Sequence, residues 1–154
     1  MYRPTKIISG GQNGADLGGI KAAKKLGILT GGTAPKGWRV VDFDGNDSSN
    51  PELAQYGLVE HSSSDYPPRT YRNVADSDGT ALFMQVESRG SQLTKRACKQ
   101  AERLIIVNPS PSQLRDWISE KSIKVLNVAG NRASPKTPDI EDLVFGTLME
   151  AFWR

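Results

Sequence analysis

From Lys6 to Asp16 the chain reads Lys6-Ile7-Ile8-Ser9-Gly10-Gly11-Gln12-Asn13-Gly14-Ala15-Asp16, a β-branched run followed by clustered glycines and a helical pattern. Glycines placed there let backbone N–H groups come close to a ligand. The positive end of the next helix points at the same spot and favours an anion, usually phosphate. The spacing is neither the G-x-G-x-x-G of dinucleotide sites nor the Gly-Lys-Ser/Thr of a P-loop. Similar loops recur at Gly31-Gly32-Thr33 with Pro35-Lys36-Gly37, at Ser88-Arg89-Gly90-Ser91 with Thr94, and at Ala129-Gly130-Asn131-Arg132. Lys36, Arg89 and Arg132 would add positive charge.

Other chemistry is sparse. Asp16, Asp76 and Asp78 are the carboxylates available for acid–base work. Asp16 reads better as an acceptor of backbone N–H bonds at a helix start, and Asp76 and Asp78 as turn residues before a buried strand. His61 is the only histidine and lies in the polar stretch His61-Ser62-Ser63-Ser64-Asp65, so a Ser-His-Asp triad would have to use it. Cys98 is the only cysteine, which excludes an internal disulfide, and no Cys/His cluster has metal-ligand spacing. Tyr66, Arg69 and Asn73 belong to a segment that could fold over a site. Trp38 suits either stacking on a flat heterocycle or simple packing.

These loops need strands and helices to hold them. Ile7-Ile8 reads as the first strand. Leu17, Ile20 and Ala23 at helical spacing follow, with Lys21, Lys24 and Lys25 outward and Gly27 as the stop. Gly18 and Gly19 inside that helix cost about 1 kcal/mol each against alanine, which close packing would explain. Ile28-Leu29-Thr30 is a second strand ending at the Gly31-Gly32 pair. Asp42 to Pro51 is turn-forming, Tyr56 to Glu60 a short edge strand, and Thr70 to Ala75 a brief helix. Thr80 to Val86 reads as a buried strand, Gln92 to Glu102 as a helix and Leu104 to Val107 as a central strand. Ser110 and Pro111 cap a helix carrying Leu114, Trp117 and Ile118. Ile123 to Val128 is the last strand. Thr137-Pro138-Asp139 opens a final helix with Ile140, Leu143, Val144, Leu148, Ala151 and Phe152 as its apolar stripe.

Alternating strands and helices predict an α/β fold, a Rossmann-like parallel sheet of five or six strands with helices on both faces. The expected strand order is 3-2-1-4-5-6, in one domain spanning residues 1–154. Ligands in such sheets collect beyond the carboxyl ends of the strands, where the glycine loops fall. With 154 residues and 37% hydrophobic content the chain can bury a real core. No apolar run reaches the length of a membrane span and no signal-peptide core is evident, so a soluble, cytoplasmic protein is expected. The formal charge of +3, with no dense Lys/Arg run or aromatic RNA-binding motif, favours a small anionic ligand over nucleic acid or membrane.

Several motifs together resemble a known family. Ser9-Gly10-Gly11-Gln12-x-Gly14-Ala15-Asp16, Gly31-Gly32-x-x-Pro35-Lys36-Gly37, Tyr66-x-x-Arg69-Thr70-x-x-Asn73-Val74, Ser77-Asp78 and Leu126-Asn127-Val128-Ala129-Gly130-x-Arg132 are similar to the putative molybdenum carrier family, over nearly the whole chain and in order. That family resembles the molybdenum cofactor carrier proteins of algae and bacteria and, more distantly, the lysine-decarboxylase-like LOG phosphoribohydrolases. The resemblance implies a Rossmann-like fold and the carriage and protection of molybdenum cofactor (molybdopterin), an oxygen-sensitive pterin with a terminal phosphate and a molybdenum dithiolene. Molybdate or phosphate are simpler anions for the same site. It further implies a homo-oligomer, dimer or tetramer, and molybdoenzymes or cofactor-synthesis proteins as partners.

Loops and resemblance together give an expected cofactor-binding set of Gly10, Gly11, Gln12, Asn13, Gly14, Gly32, Lys36, Arg69, Arg89, Gly90, Ser91, Thr94, Gly130 and Arg132. The chain departs from the family pattern at Gly90-Ser91, where a glycine pair is usual, and at Asn13, where threonine is usual. The glutamate on which LOG enzymes rely for N-glycosidic cleavage has no counterpart in Arg89-Gly90-Ser91-Gln92-Leu93-Thr94-Lys95-Arg96. A carrier is therefore expected ahead of an enzyme, with no catalytic residue assigned. A nucleotide-binding enzyme of LOG type and a nucleotide-sensing module are the alternatives. Met149 and Trp153, off the apolar stripe of the last helix, are expected to supply a second buried surface in an oligomer.

Overall fold

A computed structural model describes residues 3–154. Six parallel strands form one sheet: β1 (Lys6–Ile8), β2 (Leu29–Ala34), β5 (Leu58–Glu60), β6 (Gly79–Phe83), β7 (Leu104–Val107) and β8 (Val125–Gly130). A small antiparallel hairpin, β3 (Arg39–Val41) with β4 (Asp47–Ser49), and a 3-10 turn over Pro51–Tyr56 stand outside it. The helices are α1 (Ala15–Lys25), α2 (Tyr66–Ala75), α3 (Arg89–Ala101), α4 (Pro111–Glu120) and α5 (Ile140–Phe152). The α/β, Rossmann-like reading holds, with helices on both faces.

The strand order is β5-β2-β1-β8-β6-β7, which corrects the expected 3-2-1-4-5-6. The last strand lies between the first and the fourth rather than at the edge. Burial gives the reason. Leu126, Asn127 and Val128 are all buried, so β8 needs a neighbour on each side and a layer on each face. Leu104 and Val107 are each 43% exposed, which makes β7 an edge strand and not a central one.

On one face, α1, α4 and α5 bury Ala22, Leu114, Ile118, Val144 and Leu148 against Ile7, Phe83, Leu126 and Val128. On the other, α2 and α3 bring Val74, Ala97 and Cys98 together. A third cluster, Leu17, Ile20, Val40, Leu53 and Leu58, seats the hairpin on the α1 side of β2. Gly18 and Gly19 do pack closely: a Cβ at Gly18 would meet the Glu141 carbonyl of α5, and one at Gly19 would lie 2.6 Å from Val128 Cγ1.

Several boundaries differ from the sequence reading. β2 runs through the glycine pair to Ala34, because Gly32, Thr33 and Ala34 pair with β5. β6 stops at Phe83, since Asn108 captures the Met84 amide and Asn131 those of Gln85 and Val86, and α3 begins at Arg89 because Ser88 caps it. α2 starts at Tyr66, with prolines in its first turn where their missing N–H groups cost nothing. Ser110 caps α4 as expected. Leu143 is 46% exposed and leaves the α5 stripe, which the helix rotates toward α1 and α4 through Ile140, Val144 and Leu148. Met149 packs against the main core, so only Trp153, 62% exposed, stands off it. Among the described residues no helix is long and apolar enough to cross a membrane.

Candidate functional site

A cleft of about 670 Å³ opens at the carboxyl ends of β1, β8 and β6. Of the residues expected from sequence, Gln12, Arg69, Arg89, Gly90, Thr94, Gly130 and Arg132 line it. Asp16, Tyr66, Ser88, Asn131, Lys136 and Thr137 line it too.

The first glycine loop is largely occupied by its own protein. Gly11 N–H donates to Ser9 Oγ (3.1 Å), Gln12 N–H to Asp16 Oδ2 (3.2 Å) and Asn13 N–H to Gln12 Oε1 (3.1 Å). Ala15 N–H, in the first turn of α1, donates to the Asn131 carbonyl at 3.1 Å. The side chains tie the loop to the hairpin: Gln12 Oε1 accepts from Val41 N–H at 2.8 Å, and Asn13 Nδ2 donates to the Val41 carbonyl at 2.8 Å. Gly11 makes room for Leu53 and Leu58, and Gly14, at φ +115°, for the backbone of Asn131 to Ala133. Gly10 lies under the Arg69 guanidinium, which a Cβ would strike. Gly32 permits the close approach of β2 to Ser9. These glycines serve packing; none of Gly10, Gly11, Asn13, Gly14 or Gly32 lines the cleft.

Asp16 carries the negative charge at this end. Its side chain is only 4% exposed and pairs with Arg69 Nη1 at 3.4 Å. Burial raises its carboxyl pKa above the usual carboxylate value, against the opposing pull of Arg69 and the Gln12 and Gly10 amides. Arg69 itself is 13% exposed. Tyr66 carries Arg39 over its ring at 4.7 Å and Arg69 at 5.6 Å. Tyr66 Oη and Arg69 Nε are buried without a hydrogen-bond partner among the described residues.

The N-terminus of α3 differs. Ser88 Oγ accepts from Ser91 N–H at 3.0 Å and Ser91 Oγ from Ser88 N–H at 2.9 Å, a reciprocal capping box. Ser91 is buried in this role and does not line the cleft. The amides of Arg89 and Gly90 have no acceptor among the described residues. A Cβ at Gly90 would have only Ser88 Oγ nearby, at 3.8 Å, so the space before it is open. Asn131 shapes the approach: its Oδ1 accepts from Gln85 and Val86 N–H at 2.6 and 3.1 Å, and its Nδ2 donates to the Val86 carbonyl at 3.0 Å. Arg132 donates from Nη1 to the Asp42 carbonyl at 2.8 Å, and Thr137 Oγ1 donates to the Arg132 carbonyl at 2.6 Å. Arg89, Arg132 and Lys136 line the cleft beside this helix N-terminus; so does Glu87, whose Oε1 accepts from Ser91 Oγ at 3.1 Å and whose Oε2 is paired with Lys95 at 3.6 Å. Free first-turn amides with three cations in the same lining suit a phosphate-like anion.

Other expected residues lie elsewhere. Lys36 is exposed and outside the cleft, its amide bonded to the Ser63 carbonyl. Asn73 is buried and clasps Thr33 through both backbone groups at 2.9 Å. Trp38 packs beside Leu53 and Val40. Asp76 pairs with Arg72, and Asp78 accepts from Lys124 and Val125 at the amino ends of the strands. His61 Nδ1 accepts from Ser63 N–H at 2.9 Å. Asn131 carried a visible signal, a polar residue closing a buried strand; Lys136, between two turn residues, carried none.

Residues 7–152 match the family described as the circularly permutated YpsA SLOG family. Among solved structures, the chain is similar to a putative molybdenum carrier protein from Syntrophus aciditrophicus SB. The two are 34% identical, over 98% of this chain and 96% of that one, with a TM-score of 0.80. No curated protein matches.

Proposed function

The chain belongs to the circularly permutated YpsA SLOG family, and from that premise we propose that it carries a small anionic cofactor in the cleft between β1, β8 and β6. The observation that carries this reading is the N-terminus of α3: the Arg89 and Gly90 amides have no acceptor among the described residues, and both residues line the same cleft as Arg132 and Lys136. The ligand that fits the family best is molybdenum cofactor, its terminal phosphate at α3. The related structure bears the name of a molybdenum carrier, which supports the choice. In this reading Gln12, Arg69, Thr94, Gly130 and Arg132 form the walls, while Gly10, Gly11, Asn13, Gly14, Gly32 and Ser91 support them from behind.

The carrier is a single domain and works in the cytoplasm, handing its ligand to molybdoenzymes or receiving it from cofactor-synthesis proteins. Trp153, exposed at the end of α5, is the anchor for a homo-oligomer. Light scattering coupled to size exclusion should give at least twice the chain mass, reduced by Trp153→Glu; a monomeric wild type removes this part of the proposal.

The test of the ligand is mass spectrometry of small molecules released from freshly purified protein. A pterin phosphate or its oxidised product is expected in the wild type and lost in Arg89→Ala. Recovery of an unrelated ligand, unaffected by that substitution, would overturn the reading. Hydrolysis of AMP or of a cytokinin-type monophosphate that vanishes in Asp16→Asn would turn it toward an enzyme.

A further inference from the structure

Resting on that reading of the cleft, we propose that the wall made by Asp16, Arg69 and Tyr66 reads the 2-amino-4-oxopyrimidine edge shared by pterins and guanine, while α3 holds the same ligand's phosphate. The wall is a poor site for a second anion. The Arg69 charge is already matched by the buried Asp16 at 3.4 Å, so the pair is near neutral as a unit. What it offers is a carboxylate acceptor beside unused donors, Arg69 Nε and Tyr66 Oη.

A 2-amino-4-oxopyrimidine presents a carbonyl oxygen next to a ring N–H and an exocyclic amino group. The oxygen takes a hydrogen bond from Arg69 or Tyr66, and the two N–H groups donate to Asp16. Adenine presents a lone pair where the ring N–H should be, which would face the carboxylate and be repelled. Two contacts hold the wall in position: Gly10 leaves the space in which the guanidinium rests, and Gln12 N–H fixes Asp16 Oδ2. Both unpartnered atoms are covered, so ligand entry turns the Tyr66 ring or the Arg69 side chain. Neither atom loses a hydrogen bond in that turn.

The topology sets the span. Asp16 lies in the first turn of the helix after β1 and Arg89 starts the helix after β6, with β8 between the two strands. Two inter-strand spacings amount to about 9.6 Å. A heterocycle edge and the phosphate of a mononucleotide, or of a phosphorylated pterin, are separated by a comparable distance.

Calorimetric titration of the full chain with GMP, IMP, AMP, 6-hydroxymethylpterin monophosphate and inorganic phosphate tests the assignment. GMP or the pterin monophosphate should bind at least about tenfold tighter than AMP, the scale of one well-made bidentate base contact, with IMP between. Tyr66→Phe keeps the ring under Arg39 and should weaken the preferred ligand about fivefold while leaving inorganic phosphate unchanged. Preference for the pterin over GMP names pterins as the ligand, and the converse names guanine nucleotides; both support the edge reading. AMP binding as tightly as GMP and the pterin, in competition with phosphate, overturns the edge reading and leaves the anion site standing. Binding of no probe, inorganic phosphate included, overturns both.

Discussion

The loop between β1 and α1 and the loop between β6 and α3 both place glycine beside a helix N-terminus at the carboxyl edge of one sheet, but their N–H groups have different partners. In the first, the Gly11, Gln12, Asn13 and Ala15 amides already reach Ser9, Asp16, Gln12 and Asn131. Asp16 supplies there the negative charge that a ligand would otherwise bring. In the second, the cap satisfies the Ser91 amide, and those of Arg89 and Gly90 have no acceptor among the described residues. A glycine-rich helix start is thus an anion site only where the protein has not filled it with its own acceptors.

Substitutions at matched glycines should separate the two loops most sharply. Gly14→Ala forces a side chain into φ +115° and within 2.5 Å of the Ala133 nitrogen and the Asn131 carbonyl. It should cost about 3 kcal/mol or more in urea unfolding, through backbone strain and steric clash. Gly90→Ala, facing open space, should change stability by less than about 1 kcal/mol. Similar losses at both positions would erase the contrast.

Next in size are the effects on ligand. Gly90→Pro removes a free donor at a first-turn position that tolerates proline. It and Arg89→Ala should each weaken phosphate or nucleotide binding by about 1–3 kcal/mol in calorimetry, the scale of a hydrogen bond to a charged group. Unchanged affinity in both variants would move the anion elsewhere.

A smaller effect tests whether Asp16 fills the first loop at a cost. Its folded-state pKa is raised by burial above the ordinary 3.8. Its contribution to stability is therefore complete below that ordinary value and is lost as pH rises through the folded-state pKa. Asn does not titrate, so the stability of Asp16→Asn relative to wild type should improve between about pH 3.5 and pH 7 in urea melts. A wild type that gains on the variant over that range would mean that the Arg69 pair outweighs burial. Smallest of all, Lys36→Ala should alter phosphate affinity by under about 0.3 kcal/mol, because an exposed charge outside the cleft is screened.

Much of this was legible from residue types. Ile7-Ile8, the helical stripe of Leu17, Ile20 and Ala23, the Ser110-Pro111 cap and the buried run at Leu126 to Val128 each encode a local preference that the fold keeps. Strand order was not, because neighbours in sequence are only usually neighbours in space, and β8 is paired through contacts with β1 and β6 that no local pattern records. The same limit applies to the site. Gly10 to Gly14 announces tight backbone, but whether its amides are free depends on Ser9, Asp16 and Asn131 arriving from their own elements. Arg69 could be named as a cation; its pairing with Asp16, 53 positions away, could not be read from spacing.

The anion sits, on this account, at α3 and not at the first glycine loop. Crystals of the protein soaked in sodium molybdate, measured at the molybdenum absorption edge, would locate a tetrahedral oxyanion directly. The expected anomalous peak lies within hydrogen-bond distance of the Arg89 and Gly90 amides, with Arg132 or Lys136 beside it. A peak held by the amides of Gly10 to Gly14, with α3 empty, would contradict the account.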